Sequence, residues 1–256
     1  MPTINLDDNH QLYYALHRSP TPGPLNLLLL HGAAGTHLDW PAAIRRLPGV
    51  TVYALDLPGH GRSQPPGCRT VADYAGIVAR FIARLQLAHV VLVGHSMGGA
   101  IAMTLALNAS PGIVGLVLAG TGARLRVAPA ILEGLMTDPA AVADLLVNAY
   151  WQPDTPSAVK QRSKQNLLAV DPTVALGDFE ACNTFDVRGQ LGQIQLPTLV
   201  IGSDTDPLTP LKYSQYLAAE IPHARLVTLP AAGHMLLLAH PTLAAAAITA
   251  FLQETI

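Results

Sequence analysis

Residues 90–99 read Val-Val-Leu-Val-Gly-His-Ser-Met-Gly-Gly, and this stretch decides the fold. An apolar run typical of a strand ends at Gly94, and an alanine-rich apolar run typical of a helix begins near Met97. Ser96 lies between them in a Gly-x-Ser-x-Gly pattern, which at a strand-to-helix turn exposes a reactive serine. We interpret Ser96 as a nucleophile. The alternative is an ordinary turn that contains a serine by chance.

Short apolar segments that resemble buried strands recur along the chain. Most hold four to six continuous apolar residues and end in Gly, Asp or Ser, as strands buried on both faces do. Helical patterns separate them, such as 70–87, where apolar residues recur at intervals of three and four. This alternation predicts an α/β fold with a mostly parallel, eight-stranded, doubly wound sheet. The strand-like segments are 3–6 and 12–16, which resemble an opening hairpin, and 25–32, 51–59, 89–96, 113–122, 198–204 and 224–234.

Residues 122–189, which we name the helical segment, contain no strand-like pattern. We predict an all-helical insertion here, while residues 1–121 and 190–256 form the α/β core. The insertion is either a packed lobe or a lid over a pocket, and we favour the lid. Three helix starts within it place a capping side chain before a proline suited to the first helical turn: Asp138-Pro139, Thr155-Pro156 and Asp171-Pro172.

The composition excludes several classes of function. Of the 256 residues, 50% are hydrophobic and 12% are charged, and the formal net charge is -2. The lysines are Lys160, Lys164 and Lys212 alone, so no basic patch indicates nucleic-acid binding. No stretch reaches the roughly 18 consecutive apolar residues of a membrane span. The polar N-terminal residues lack the pattern of a secretory signal.

The cysteines and histidines argue against a disulfide framework and against a metal site. Cys68 and Cys182 are the only cysteines and lie far apart, which is typical of reduced thiols in a cytoplasmic protein. The ten histidines include no HExxH or HxxEH arrangement. We therefore expect a cytoplasmic protein without a metal site.

A serine hydroxyl needs a base to become nucleophilic, and the base in turn needs an acid. His234 follows the last strand-like segment, at the sheet edge where Ser96 should emerge, because sites of open α/β sheets lie beyond the carboxyl ends of strands. Asp204 and Asp206 follow the segment before it, and either could be the acid. After the strand-like segment before that, 113–122, the first acidic residue is Glu133.

An oxyanion hole requires two N–H donors. The first should be Met97 N–H, because it follows the nucleophile at the start of a helix whose dipole favours negative charge. The second should come from the loop that begins at Gly32, the last residue of segment 25–32. There Gly32 lets the backbone approach the substrate closely, and the small Ala33 leaves room for the substrate. An ordinary strand-to-helix turn is the alternative interpretation of this loop.

Four motifs, in this order, resemble those of the α/β-hydrolase fold superfamily, and the resemblance covers nearly the whole chain. In that superfamily the Asp56–Ser63 segment is chiefly a structural loop beside the site, and the acid falls in a D-x-x-T-P stretch. Residues 206–210 match that stretch, so the resemblance favours Asp206, although Ser203 stands where relatives often have Gly. The motifs are His31-Gly32-Ala33-Ala34-Gly35, Asp56-Leu57-Pro58-Gly59-His60-Gly61-Arg62-Ser63, Gly94-His95-Ser96-Met97-Gly98-Gly99 and Gly233-His234.

Within the superfamily the chain resembles single-domain carboxylesterases, enol-lactonases and C–C hydrolases. The resemblance implies a serine hydrolase that cleaves small, mostly apolar carboxylic esters or lactones through an acyl-enzyme. Ser96 would attack, His234 would move the proton, Asp206 would orient His234, and no metal or organic cofactor would be needed. We expect a small-molecule substrate as the partner and a monomer or homodimer.

The pocket should be apolar, although each residue predicted to line it could equally belong to the core. Two alternatives to an esterase remain. One is a C–C hydrolase or a triad-dependent lyase or synthase on an acidic substrate, for which Arg124 and Arg126 are candidates. The other is a non-catalytic ligand receptor. The predicted pocket residues are Trp40, Leu135, Met136, Tyr150, Trp151 and Phe185.

Overall fold

The computed structural model describes residues 2–7, 10–21 and 23–255 of the chain. Within them, eight strands form one sheet, and each coincides with a predicted segment. The strands are β1 (Thr3–Asp7), β2 (His10–Arg18), β3 (Asn26–Leu30), β4 (Thr51–Leu55), β5 (Val90–His95), β6 (Ile113–Ala119), β7 (Thr198–Ser203) and β8 (Ala224–Leu229). Their order in the sheet is β1-β2-β4-β3-β5-β6-β7-β8.

The sheet is mostly parallel, as predicted. Strand β2 pairs antiparallel with β1 and β4, and the other neighbouring strands pair in parallel. Parallel strands end at the same edge of a sheet, where α/β proteins place their ligand sites. The loops that follow β3, β5, β7 and β8 therefore meet at one edge.

Ten helices accompany the strands within the described residues. The helix Val71–Arg84 confirms the pattern predicted over 70–87, and the Thr70 side chain caps it by accepting the Asp73 N–H at 3.1 Å. Short 3₁₀ turns lie at His37–Asp39 and Leu191–Gln193. The helices are α1 (Ala42–Arg45), α2 (Val71–Arg84), α3 (Met97–Leu107), α4 (Pro129–Thr137), α5 (Pro139–Tyr150), α6 (Ser157–Leu168), α7 (Pro172–Thr184), α8 (Leu211–Glu220), α9 (Leu236–Ala239) and α10 (Pro241–Thr255).

Helices cover both faces of the sheet, and this explains the continuous apolar runs. Val90 and Leu92 of β5 belong to the cluster that includes side chains of α2 and α3. Val91 and Val93 point to the opposite face and belong to the cluster that includes α1 and α10. Burying one such side chain stabilises the fold by roughly 1.5–3 kcal/mol. A strand covered on both faces therefore needs no polar residue.

Helices α4 to α7 lie in the helical segment, between β6 and β7. Two of the three predicted starts are confirmed: Asp138 caps α5 by accepting the Ala141 N–H at 3.0 Å, and Asp171 caps α7. Helix α6 differs, because Pro156 has an extended ψ of 136° and the helix begins one residue later. An antiparallel bridge between Arg124 and Asp186 joins the two ends of the segment.

Two kinds of feature are not found among residues 2–7, 10–21 and 23–255. No helix there has the length and apolarity needed to cross a bilayer. No three or more His, Cys, Asp or Glu side chains group there in a way that could hold a metal ion.

Candidate active site

Ser96 lies at the sharp turn between β5 and α3, where the sequence places it. Its backbone has φ 52° and ψ -116°, a strained combination for a residue other than glycine. Two backbone hydrogen bonds hold the turn. Ser96 N–H donates to the Ala119 carbonyl at 2.9 Å, and Gly99 N–H donates to the Ser96 carbonyl at 2.9 Å. The strain is therefore tied to the neighbouring strand and to the first turn of α3.

Two glycines make this turn sterically possible. A Cβ atom on Gly94 would collide with the backbone of Gly98, and a Cβ atom on Gly98 would collide with the carbonyl of Leu30. Helix α3 thus begins in direct backbone contact with the sheet. Any larger residue at either position would push the helix away and displace Ser96.

His234 and Asp206 form a buried hydrogen-bonded pair. The Nδ1–H of His234 donates to Oδ2 of Asp206 at 2.8 Å, and both residues are 4% exposed. A carboxylate can only accept, so the proton of the neutral imidazole lies on Nδ1 and the lone pair lies on Nε2. This is the tautomer that a general base requires.

The charge of Asp206 is stabilised from several sides. Oδ1 accepts the Leu208 N–H at 2.9 Å and the Thr209 N–H at 3.0 Å, and Oδ2 also accepts the Thr209 hydroxyl at 2.7 Å. Burial alone would raise the pKa of Asp206, but His234 and the hydrogen bonds from Thr209 lower this pKa to about 2. Asp206 is therefore ionised at neutral pH.

Asp204 and His95, the sequence neighbours of Asp206 and Ser96, have different partners. Exposed Asp204 accepts the Ala231 N–H at 2.7 Å and does not contact His234. The His95 Nε2–H donates to the His234 carbonyl at 2.9 Å. Burial lowers the pKa of His95 to about 3, so it stays neutral. Both side chains hold the loop that carries His234.

Ala33 and Met97, the predicted oxyanion-hole residues, lie in the loop after β3 and at the start of α3. The loop is a tight turn in which the Gly35 N–H donates to the Gly32 carbonyl at 3.1 Å. Ala34 in this turn has a φ of 53°. Within the described part of the chain, neither the Ala33 N–H nor the Met97 N–H donates to a protein acceptor. Ala33 lines the cavity that contains Ser96, whereas Met97 is 0% exposed and is not among the residues that line this cavity.

One cavity of about 240 Å³ brings Ala33, Ser96 and His234 together on its wall. Asp206 lies behind His234 and does not line the cavity. Many of the remaining wall residues come from the helical segment, and most of these are apolar. They include Leu125, Ile131, Leu146, Tyr150, Phe179 and Cys182.

The predicted pocket residues are spread over several places. Tyr150 lines the cavity with Ser96. Leu135 lines a separate cavity of about 70 Å³, and Trp151 lines a neighbouring one of about 550 Å³. Met136 is 54% exposed and lies on the outer surface. Which face of each helix turns inward depends on packing between helices, and the sequence pattern of this segment does not fix it.

Trp40 and Phe185 pack in the core instead of the cavity. Trp40 is 1% exposed and belongs to the cluster on the α10 side of the sheet, because the loop after β3 folds back over that face. Phe185 ends α7 and joins the cluster on the α2 side. Both aromatic side chains therefore belong to the core.

Two carboxylates near the cavity were missed by sequence analysis. Asp39 lines the cavity and accepts the Thr36 N–H at 2.9 Å, and burial raises its pKa to about 6. Asp178 of α7 is fully buried beneath the loop after β3. Its signal was present in the sequence, because it is the one acid on a helix face that also carries Val174 and Cys182.

The Asp56–Ser63 segment forms a hydrogen-bonded loop beside the site. The buried Asp56 carboxylate accepts the His37 N–H at 2.7 Å and the Arg62 N–H at 3.0 Å. The Ser63 hydroxyl donates to the Asp56 carbonyl at 2.6 Å. These bonds fix the backbone of the loop. The side chains of Asp56, Arg62 and Ser63 do not line the cavity.

Comparison with known proteins agrees with the fold. The model of the alpha/beta hydrolase family matches residues 27–247, most of the chain. The chain belongs to this family. A pimeloyl-[acyl-carrier protein] methyl ester esterase from Yersinia enterocolitica is 27% identical over 251 residues, which cover 91% of this chain and 95% of that protein.

Solved structures of the family are also similar. A thermophilic esterase is 31% identical with a TM-score of 0.84, and the match covers 99% of this chain and 97% of that one. The enol-lactonase from Burkholderia xenovorans has a TM-score of 0.90, with 99% and 100% of the two chains covered. At 22% identity, the enol-lactonase shows the fold alone. Relatives named as esterases and hydrolases are consistent with a carboxylic ester hydrolase.

Proposed function

We propose that this protein hydrolyses small, mostly apolar carboxylic esters or lactones through an acyl-enzyme on Ser96. The observation that carries the proposal is the hydrogen bond from His234, which lines the same cavity as Ser96, to the ionised Asp206 behind it. These positions at one sheet edge support Ser96 as the nucleophile, His234 as the base and Asp206 as the acid. The relatives named as esterases support the same type of reaction.

In the proposed reaction, Ser96 Oγ attacks the substrate carbonyl while His234 Nε2 takes its proton. The resulting imidazolium is stabilised by Asp206 and then protonates the leaving alcohol. In a second step His234 takes a proton from water, and the hydroxide attacks the acyl-enzyme and releases the acid. A lactone follows the same course, except that the leaving alcohol stays attached to the product.

The negative oxygen of each tetrahedral intermediate would be bound by the Ala33 N–H and the Met97 N–H. Removing one such donor typically costs roughly 3–4 kcal/mol of transition-state stabilisation. The free N–H groups and the position of Met97 at the start of α3 support this role.

The helical segment would act as a lid that excludes water and sets substrate size. Its side chains make up much of a cavity of about 240 Å³, which suits a small substrate with an apolar body. The unpaired thiols Cys68 and Cys182 support a reducing compartment such as the cytoplasm.

The test is a panel of p-nitrophenyl esters from acetate to dodecanoate, with wild type, Ser96→Ala and Ser157→Ala. We expect the wild type to prefer short acyl chains. The Ser96→Ala variant should lose about 10⁴-fold or more in kcat while remaining folded. Ser157 is exposed on α6, so Ser157→Ala is the matched control and should retain full activity. Ester hydrolysis that persists in Ser96→Ala would overturn the proposal.

A second candidate is cleavage of a substrate that carries a carboxylate, including a C–C bond hydrolysis. The observation that favours it is Arg126, an exposed side chain on the rim of the Ser96 cavity. Its neighbour Arg124 is instead paired with Asp186 at 3.6 Å. A guanidinium at the rim could bind the distal carboxylate of an acidic substrate.

A further inference from the structure

A second buried cluster of polar groups, which we name the Asp178 cluster, lies beside the Ser96 cavity and takes no part in the proposed reaction. It consists of Ala34, His60, Tyr74 and Asp178. Oδ2 of Asp178 accepts the Ala34 N–H at 2.7 Å and the His60 Nε2–H at 2.7 Å. Oδ1 accepts the Tyr74 hydroxyl at 2.5 Å. One carboxylate from the helical segment therefore binds three groups of the α/β core.

The hydrogen bonds determine the charges in this cluster. His60 Nδ1 donates to the Pro58 carbonyl at 3.0 Å and Nε2 donates to Asp178, so both ring nitrogens carry a proton. His60 is therefore an imidazolium, paired with the Asp178 carboxylate. Burial opposes this charge, but the charge and hydrogen bond of Asp178, together with the Pro58 carbonyl and the Asp56 charge, raise the pKa of His60. The adjacent His31 stays neutral, because its Nε2 accepts the Leu57 N–H at 3.0 Å.

A buried ion pair is a costly way to stabilise a core, because both charges lose their water. Replacing such a pair with apolar side chains is often neutral or stabilising. His60, Tyr74 and Asp178 are each at most 1% exposed, and core clusters surround them. The cluster is thus better explained by what it holds in place than by a gain in stability.

What the cluster holds is the turn that carries a proposed oxyanion donor. The turn runs from Gly32 to Gly35, and Ala34 adopts a left-handed φ of 53° within it. This conformation is unfavourable for alanine. The bond to Asp178 fixes the direction of the Ala34 N–H and, because the peptide is planar, that of the Ala33 carbonyl. It thereby restrains the backbone of the turn on the C-terminal side of Ala33. Ala33 is the residue whose own N–H is free at the cavity wall.

We propose that Asp178 is a positioning residue: from helix α7 it holds the Gly32–Gly35 turn in the conformation that makes the Ala33 N–H an oxyanion donor. This inference rests on the proposed function of Ser96. It gives the helical segment a role in supporting the oxyanion hole as well as in covering the cavity.

The test compares Asp178→Ala, Asp178→Asn and Tyr74→Phe. Removing one oxyanion donor costs about 10²–10³-fold in kcat, so we expect a loss of about 10²-fold for Asp178→Ala, with KM changed less than about threefold. Asn can still accept the Ala34 N–H through its amide oxygen, but without charge, so we expect Asp178→Asn to lose about fivefold to tenfold. Tyr74→Phe removes a donor from the other carboxylate oxygen and should lose less than about twofold.

The affinity of a transition-state mimic would report on the oxyanion hole, and a purely structural role of Asp178 would leave that affinity unchanged. An alkyl boronic acid that adds to Ser96 would place an oxygen in the oxyanion hole. Its affinity should fall in proportion to kcat/KM across the three variants, and thermal unfolding of each would be recorded alongside. If Asp178→Ala does not fold, the pair Asp178→Asn and Tyr74→Phe decides. Equal kcat values in that pair, or a change confined to KM, would overturn the inference.

The same assay separates the two proposals. Loss of activity in Ser96→Ala together with unchanged kcat in the Asp178 variants would reject the positioning role alone. Full activity in Ser96→Ala would reject the proposed function, whatever the Asp178 variants do.

Discussion

Strands β5 and β7 are buried along their whole length, whereas helix α6 of the helical segment has no buried residue. The two regions nevertheless meet at the same cavity. The sheet places Ser96 and His234 through backbone pairing, which leaves little freedom. The helical segment surrounds them through side-chain packing, which can vary without disturbing the strands. Under the proposed function, the sheet would hold the nucleophile and the base, and the helical segment would select the substrate.

The two regions also contact each other at the points that the reaction would use. The Tyr150 carbonyl at the end of α5 accepts the His234 N–H at 3.1 Å and the Met235 N–H at 3.2 Å. Asp178 of α7 accepts the Ala34 N–H. The helical segment is therefore bonded to the loop of the proposed base and to the loop of a proposed oxyanion donor. Three pairs of variants test how far the division between the regions holds.

The largest expected effect lies at the sheet edge, where Asp206 and Asp204 stand two residues apart. Asp206→Asn should lower kcat about 10⁴-fold, because an amide favours the wrong tautomer of His234. Asp204→Asn should change kcat less than about threefold, because its amide oxygen still accepts the Ala231 N–H. Steady-state kinetics on p-nitrophenyl butyrate measure both. Equal losses of kcat in the two variants would contradict the assignment of Asp206 as the acid that pairs with His234.

The second comparison applies one substitution to each region. Leu92 of β5 is 0% exposed, and Leu145 of α5 is 48% exposed. Leu92→Ala should lower the free energy of unfolding by about 2–5 kcal/mol, because it leaves a cavity in a core covered on both sides. Leu145→Ala should change it by less than about 0.5 kcal/mol. Chemical denaturation of both variants provides the measurement. A large loss for Leu145→Ala would show that the outer face of α5 is covered in solution.

The smallest expected effect concerns the rim of the cavity. If acidic substrates are used, Arg126→Gln should lower kcat/KM for an ester with a distal carboxylate by about fivefold, because an exposed ion pair contributes up to about 1 kcal/mol. The control Arg124→Gln removes an arginine that is paired with Asp186 and should leave this value within about twofold.

Mono-p-nitrophenyl glutarate and p-nitrophenyl butyrate provide the charged and neutral esters for this comparison. Arg126→Gln should lower kcat/KM for the glutarate ester and leave kcat/KM for the butyrate ester unchanged. An unchanged ratio of the two activities would remove the reason for the second candidate function and favour neutral esters.

The strands were predictable because their signal is local and strong. The residues of β3 and β5 alternate between two apolar clusters, and only a run without polar residues permits that. The Ser96 turn was predictable for a related reason, because Gly94 and Gly98 are forced by backbone contacts that tolerate no side chain. The rule that parallel strands end at one edge predicted His234 and left Asp204 and Asp206 as candidate acids, and the family resemblance favoured Asp206.

The residues of the helical segment were harder to place, because amphipathic helices can turn either face toward a neighbour. Leu135 and Tyr150 both looked like pocket residues, yet only Tyr150 lines the Ser96 cavity. Trp40 was also predicted to line the pocket, yet it packs in the core on the α10 side of the sheet. Asp178 stood out as an acid on an apolar helix face, but its three partners were not predictable because they lie 104 to 144 residues away along the chain.

The sequence by itself determined the order of strands and helices, the sharp turn at Ser96 and the family to which the chain is similar. Each of these depends on neighbours within a few residues or on a general rule of parallel sheets. Only the tertiary structure decided that Asp206 contacts His234 while Asp204 does not, that His95 holds the His234 backbone, and that Asp178 reaches across to Ala34. Those contacts join distant parts of the chain over less than 3 Å, and a single hydrogen bond of that length has no periodic trace in the sequence.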